Sequence, residues 1–302
     1  MDSKTASKPA GRHAARKHVQ LFSVLIATMV FLGSCVAFYP SAASWFSALE
    51  QTKHTDRYVD VTDSLAPYIK DEQLREAQQY NASLADGTRI VDPFAAVQKK
   101  TQKTDDPYWD LLDPNDDGLM ARLRIPSIDV KIPVYHGTAE DVLLEGAGHL
   151  EGTALPVGGQ GTHAVMTGHR GLPQAAMFTD LDKVTVGDDI EIDVYGQTLV
   201  YRIIDSSVVL PTETELLRPQ VGRDLISLVT CTPIGVNSHR IIVTAERVLP
   251  TPADAGQSVD SIGFPWWALG LGLSATGCLW YVFYTRSQKP AARVSRSVLV
   301  SA

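Results

Sequence analysis

The stretch LISLVTCTPIGVNSHRIIVTAERV, residues 225–248, contains two apolar, β-rich runs separated by a short loop sequence. The first run ends near Cys231 and the second begins at Arg240, with Pro, Gly and Asn between them. Apolar runs rich in β-branched residues and bounded by turn residues predict two strands. Catalytic groups accumulate where strands meet loops, so Cys231 and Arg240 are candidates for a functional site.

Short β-rich runs continue from this pair toward the N-terminus, as far back as about residue 119. In residues 188–211, apolar and polar residues alternate on both sides of VYGQT (194–198), which has the composition of a hairpin turn. Several strands with turn residues between them predict a mainly β domain, folded as a sandwich or a barrel.

The overall composition is that of an ordinary globular protein and disfavours a nucleic-acid binder. The 302 residues are 44% hydrophobic and 20% charged, with a net charge of −7. Nucleic-acid phosphates need a basic face, so no nucleic-acid partner is expected. Cysteines 35, 231 and 278 are too few for a disulfide framework, and two of them lie in long apolar runs. Cys231 is therefore the cysteine that remains a candidate for a catalytic role.

Two uncharged apolar segments flank the β-rich region. Residues 21–39 and 264–284 are long enough for helices that cross the roughly 30 Å hydrocarbon core of a bilayer. The tails 1–20 and 285–302 each carry a net charge of +4, which leaves −15 on the segment between them. This distribution predicts a two-pass cell-membrane protein with both termini cytoplasmic and the middle extracellular. Small residues at 41–43 leave a cleaved signal peptide as an alternative for the first span.

The sequence between the first apolar segment and the β-rich region predicts helix followed by loop. Residues from about 45 to 105 are polar and tolerate helix, and 74–87 are rich in helix formers, with Gly87 in the position of a C-cap. One or two helices are therefore expected. Residues 88–118 are rich in Pro, Asp and Gly, which predicts a loop or linker.

A thiol nucleophile at Cys231 would need a base or ion-pair partner and a group that stabilises the oxyanion. Three of the eight histidines lie in the N-terminal tail or the helical region, which leaves five candidates: His136, His149, His163, His169 and His239. His169 is favoured because glycines flank it in TGHRG (167–171) and permit an exposed turn at a strand end. Arg240 is the best-placed cation. Purely structural roles for all three residues remain open on this reasoning alone.

Two longer motif-bearing runs carry a resemblance to a known family. They are GHLEGTALPVGGQGTHAVMTGHRGLPQAAMFTDLDKVTVGD (148–188) and the run 225–248 quoted above. Both resemble the sortase family, specifically class C, the pilus-assembling sortases of Gram-positive bacteria. The Cys motif of the family corresponds to Leu228-Val229-Thr230-Cys231 followed by Arg240, and its Thr-Gly-His motif to 167–169. The likeness extends over about residues 88–248.

The resemblance implies a sortase-type closed β-barrel of about eight strands with short helices, an N-terminal helical and lid segment, and a cysteine transpeptidase activity. Cys231 would attack the Thr–Gly carbonyl of an LPXTG-like sorting signal and form a thioester. His169 would protonate the leaving amine, and Arg240 would stabilise the oxyanion or orient the substrate. The acceptor would be a lysine amine of a pilin subunit. No metal or organic cofactor is expected.

Class C members also carry an aromatic plug over the active site, on a lid segment ahead of the barrel. Asp92-Pro93-Phe94 resembles this Asp-Pro-aromatic tripeptide, and so does Asp106-Pro107-Tyr108. We favour Asp92 and Phe94, because the second tripeptide runs directly into the segment before the first predicted strand. The alternative is that both are ordinary turns that contain proline.

Two alternative functions remain open at this point. One is a sortase that attaches surface proteins to peptidoglycan cross-bridges, which the two apolar spans do not exclude. The other is a non-enzymatic, membrane-tethered surface interaction module, in which Cys231 would be merely buried. The predicted organisation is the same in each case and runs as follows: tail 1–20, span 21–39, helical region and lid 40–118, barrel 119–250, linker 251–263, span 264–284 and tail 285–302.

Overall fold

The computed structural model describes residues 11–84, 90–94, 101, 103–257 and 263–287, and for 11–20 it describes the backbone alone. The chain divides into two units, each described here by itself. One unit consists of two stretches, the helical residues up to Ala42 and those from Phe264 onward. The other unit is the segment Ala43–Gly263.

Eight strands close into a barrel in the segment Ala43–Gly263, which confirms the predicted barrel of about eight strands. In chain order they are β1 (Leu119–Ile125), β2 (Val130–His136), β3 (Ala147–His149), β4 (Thr162–Thr167), β5 (Asp189–Val194), β6 (Gln197–Val209), β7 (Asp224–Thr232) and β8 (His239–Arg247). The order around the barrel is β1-β2-β3-β4-β7-β8-β6-β5, and β5 pairs with β1 to complete it. Closure removes the free strand edges that would otherwise invite pairing with other chains.

The apolar residues that alternate along these strands fill the barrel. Leu123, Ile192, Ile226 and Val243 come from four different strands, are fully buried, and belong to one hydrophobic cluster. Each such side chain contributes about 1.5–3 kcal/mol relative to an exposed one. The barrel is therefore a packed core, and functional groups are left to its ends.

The predicted hairpin at 194–198 is present between β5 and β6. Val194 pairs with Gln197, and the loop consists of Tyr195 and Gly196, whose φ angles are 45° and 79°. Two successive positive φ angles are those of a type I′ turn, whose twist matches that of the flanking strands.

The helical region contains two helices, α1 (Gly11–Ser64) and α2 (Pro67–Ser83). Helix α1 includes Pro40 and extends beyond the predicted span 21–39. A proline inside a helix removes one backbone hydrogen bond, and the C-terminal part of α1 compensates with tertiary contacts. In that part, the Tyr58 hydroxyl donates to the Met120 carbonyl. The expected C-cap at Gly87 lies outside the described residues.

The two long apolar helices match the predicted apolar segments in position. They are the N-terminal part of α1 and the last helix of the chain, Trp266–Ser287, both long and apolar enough to cross a membrane. The Ser34 and Ser274 hydroxyls, one on each helix, are 2.8 Å apart and share a hydrogen bond. A short helix, α3 (Glu140–Glu145), lies between β2 and β3 in the chain. The apolar helix Trp266–Ser287 is named α4.

Candidate active site

Cys231 and Arg240 face each other across two adjacent strands. They are register partners in the antiparallel pair β7–β8, one residue from the loop that joins the strands. Cys231 is 7% exposed and Arg240 8%. The guanidinium also donates through Nη1 to the carbonyls of Asn237 and His239, at 2.9 and 3.0 Å. The hairpin thus holds a fixed cation beside the thiol at one end of the barrel.

His169 reaches the same end through the parallel pair β4–β7. Thr167, the last residue of β4, pairs with Val229, and the Gly168 N–H donates to the Val229 carbonyl at 3.2 Å. The Thr230 hydroxyl donates to the Gly168 carbonyl at 2.7 Å. A side chain at Gly168 would meet the Phe178 ring at 2.8 Å, so glycine permits this close packing. The residues immediately before Cys231 therefore position the backbone that carries His169.

Asp92 and Phe94 lie over this site. Asp92 accepts two hydrogen bonds from Arg240, Nε to Oδ1 at 2.8 Å and Nη2 to Oδ2 at 2.7 Å. The Phe94 ring lies 5.1 Å from the guanidinium carbon and 6.0 Å from the His169 ring. Asp92 is buried and Phe94 half-buried. A bidentate pair of this kind is both strong and directional, so it fixes the segment over the barrel end.

The electrostatics of the thiol depend on that cover. Burial raises the pKa of the Cys231 thiol above its ordinary value, the positive charge of Arg240 acts to lower it, and Asp92 raises it again. The carboxylate that occupies Arg240 therefore also disfavours the thiolate. Because the thiolate is the reactive form, the covered site holds its cysteine in the less nucleophilic state.

Three of the other candidate histidines, and the second Asp-Pro-aromatic tripeptide, make contacts that are typical of structural roles. His136, His149 and His163 are buried, and their ring nitrogens lie within hydrogen-bond distance of backbone or side-chain groups. The aromatic residue of the second tripeptide, Tyr108, lies in the core. It is fully buried, and its hydroxyl accepts a hydrogen bond from the Gly137 N–H at 2.9 Å. Within the described ranges, no three His, Cys, Asp or Glu side chains are grouped as a metal site requires.

Glu140 is a neighbour of the site that the sequence did not reveal. It is the first residue of α3, and its Oε1 lies 3.6 Å from Nε2 of His169. No motif or spacing links a short helix to the Thr-Gly-His turn, since only the pairing of β2, β3 and β4 brings the two together.

Fold and site together define a β-barrel protein with a candidate cysteine nucleophile, set beside a guanidinium and near an imidazole. Residues 123–248 match the sequence family described as "Sortase domain". Sortase C of Streptococcus pneumoniae, a solved structure, is 38% identical over 67% of this chain and 98% of its own, with a TM-score of 0.61. The chain belongs to the sortase family, a family of cysteine transpeptidases.

Other relatives agree with this assignment. Sortase C-1 of Actinomyces oris is 47% identical over 60% of this chain and 99% of its own, with a TM-score of 0.56. Sortase A of Bacillus anthracis is 29% identical over 130 residues, which are 43% of this chain and 60% of that protein. The chain spans between 42% and 62% of the length of the curated relatives that it matches.

Proposed function

We propose that this sortase is a cysteine transpeptidase of class C. It cleaves an LPXTG-like sorting signal between Thr and Gly and joins the new carboxyl end to a lysine amine of a pilin subunit, which assembles covalent pili. The similarity to sortase C structures supports this class, and the Streptococcus pneumoniae structure was described in relation to pilin substrate specificity. The observation that carries the chemistry is the register pair of Cys231 and Arg240.

In the proposed reaction the Cys231 thiolate attacks the threonine carbonyl. Arg240 donates to the oxyanion of the tetrahedral intermediate, and His169 gives its proton to the departing glycine amine as the thioester forms. The incoming lysine amine then attacks the thioester and loses a proton to His169. The thiolate leaves and an isopeptide bond remains, so the enzyme returns to its starting state.

Asp92 and Phe94 form the lid of this enzyme in our proposal. The oxyanion donor is bound to Asp92, so substrate and lid compete for the same guanidinium. The barrel end must be vacated before a sorting signal enters. Asp106 and Tyr108 do not serve this purpose, because Tyr108 is part of the packed core.

The membrane arrangement is also part of the proposal. Residues 21–39 and 264–284 span the membrane, the tails 1–20 and 285–302 lie in the cytoplasm, and the helical region, lid, barrel and linker (40–118, 119–250 and 251–263) lie outside. The basic tails and the two apolar helices support this topology. A fluorescent protein that matures only in the cytoplasm should be bright at either terminus. A dark C-terminal fusion would contradict a two-pass protein.

The decisive test uses the full-length chain in detergent micelles. Incubation with an LPXTG peptide should add the mass of the acyl fragment to Cys231, detected by mass spectrometry. Addition of a pilin lysine peptide should then give an isopeptide product. Reaction with a cross-bridge amine in its place would favour anchoring to peptidoglycan. Absence of an acyl-enzyme, even with the lid removed, would favour a non-enzymatic surface module.

A further inference from the structure

The carboxylate of Glu140 and the imidazole of His169 form a pair that the proposed reaction does not yet use. The Oε1 to Nε2 distance is 3.6 Å. This Nε2 is buried and has no hydrogen-bond partner within the described part of the chain. A small movement of either side chain would bring an N–H donor onto a carboxylate oxygen. Hydrogen bonds at catalytic groups are often long before substrate binds and shorten afterwards.

Other charged and titratable groups lie at the same end of the barrel or next to His169 in the chain. They are Cys231 on β7, Arg240 on β8, Asp92 of the lid and Arg170, the next residue in the chain. Asp92 is bound to Arg240, and Arg170 forms an ion pair with Asp182 at 2.5 Å. Of the carboxylates of Asp92 and Glu140, the one beside the imidazole is thus that of Glu140, at 3.6 Å.

Helix α3 holds Glu140 near this position. Leu143 is fully buried beneath the helix, and its N–H donates to the Ala139 carbonyl at 3.0 Å. Asp141, the residue after Glu140, accepts hydrogen bonds from the backbone and hydroxyl of Thr101 at 2.9–3.0 Å. The backbone of the first turn is therefore fixed, and only the side chain of Glu140 remains free to adjust.

We propose that Glu140 is a positioning residue that orients the His169 ring through Nε2. The inference rests on the proposed function, which makes His169 the acid and base. With Nε2 turned toward Glu140, Nδ1 is the nitrogen that exchanges protons with the leaving and incoming amines. The carboxylate acts as an orienting group, the role that a carboxylate has in other catalytic triads.

The test compares Glu140→Gln with wild type in two measurements on the full-length chain in micelles. The first follows the His169 ring by NMR in a Cys231→Ala background, where the thiol cannot titrate. In Glu140→Gln the Nε2–H signal of His169 should move upfield and exchange faster with solvent, because its acceptor is no longer a carboxylate. The second is the pH profile of kcat/KM for an LPXTG peptide, in which activity near neutral pH should fall about three- to tenfold. Glu140→Asp should restore part of both.

Glu145→Gln is the matched control, because Glu145 is an exposed carboxylate at the other end of the same helix. It should change neither measurement. An unchanged Nε2–H signal of His169 in Glu140→Gln, or an equal change in Glu145→Gln, would overturn the proposal. The NMR experiment needs no turnover, so a chain that forms no acyl-enzyme would refute the proposed function without deciding the role of Glu140.

Discussion

Arg240 has two partners at the site. Its backbone is in register with Cys231 on the neighbouring strand β7, and its side chain binds Asp92. Its side chain is 10% exposed, and it donates to two backbone carbonyls as well as to the Asp92 carboxylate. Five donors in a planar fork make this combination possible, and lysine lacks the geometry for it. The residue that is proposed to stabilise the oxyanion is therefore also the residue that binds Asp92 of the proposed lid.

Arg240→Lys separates these two roles. Lysine keeps the charge but not the fork, so acyl-enzyme formation should fall about 100-fold or more, the usual effect of losing an oxyanion donor. Thiol labelling of Cys231 should become faster in the same variant, because Asp92 loses its bidentate partner. Arg247→Lys, on the same strand, is the control. Full activity of Arg240→Lys would show that the positive charge alone suffices.

Cys231→Ala and His169→Ala should fold like wild type and form no thioester or very little of it. Cys231 contributes a small side chain at a strand end, so we expect less than about 1 kcal/mol of change in the free energy of unfolding. Mass spectrometry and thermal unfolding measure the two properties. Cys278→Ala and His239→Ala are the controls. If His239→Ala were inactive and His169→Ala active, the catalytic base would be His239 and not His169.

Two nearly identical tripeptides show what local sequence does and does not determine at the scale of an element. Both have the pattern Asp-Pro-aromatic, yet Phe94 is half-buried over the site whereas Tyr108 packs between His136 and His149 in the core. The strands themselves follow from alternation and turn residues, as at Tyr195 and Gly196. The fate of each aromatic depends on partners distant in sequence, which a local pattern does not contain.

Removal of the lid contacts should expose the thiol. In Asp92→Ala/Phe94→Ala the labelling rate of Cys231 should rise about tenfold or more, because charged hydrogen bonds worth about 1.5–3 kcal/mol no longer favour the closed state. The pKa of the thiol should also fall, since Asp92 raises it. Loss of half-buried Phe94 should lower stability by about 1–2 kcal/mol.

Tyr108→Phe is the contrasting variant for the lid experiment. It leaves the Gly137 N–H without its acceptor and should destabilise the barrel by about 1–3 kcal/mol. Cys231 labelling should remain at the wild-type rate while the protein is folded. Faster labelling in Tyr108→Phe, with no change in the Asp92/Phe94 variant, would make the second tripeptide the lid.

Across the whole molecule, buried imidazoles couple stability to pH. Burial lowers the pKa of His149 to about 4, and burial also lowers the pKa of His163. The unfolded chain then binds more protons than the folded one between pH 6.5 and 4, so stability should fall as the pH falls through this range. For His149 alone the loss amounts to about 3 kcal/mol at pH 4.

Thermal unfolding between pH 4 and 7 measures this dependence. His149→Gln should flatten the curve relative to wild type. The comparison isolates the histidine from Asp113 and Asp224, whose raised pKa values, due to burial, act in the opposite direction. If stability depended on pH in the same way in wild type and His149→Gln, His149 would not be the cause of the pH dependence.

The sequence predicted the class of fold, the number of strands and the residues proposed for catalysis, but not how the strands are ordered. Cys231, His169 and Arg240 could be chosen because motifs and strand ends mark them. The parallel pair β4–β7 could not be foreseen from alternation, since alternation shows which face is buried and not which strand lies beside it. Glu140 escaped notice for the same reason.

The unequal sequence separations within the site imply an order of assembly during folding. Cys231 and Arg240 meet through a hairpin of consecutive strands, which closes a short loop. His169 joins them only when β4 pairs with β7, across a stretch of chain that includes β5 and β6. Closing the longer loop costs more chain entropy and comes later in a barrel of high contact order. When the full chain refolds, we therefore expect Cys231 and Arg240 to come together before His169 joins them.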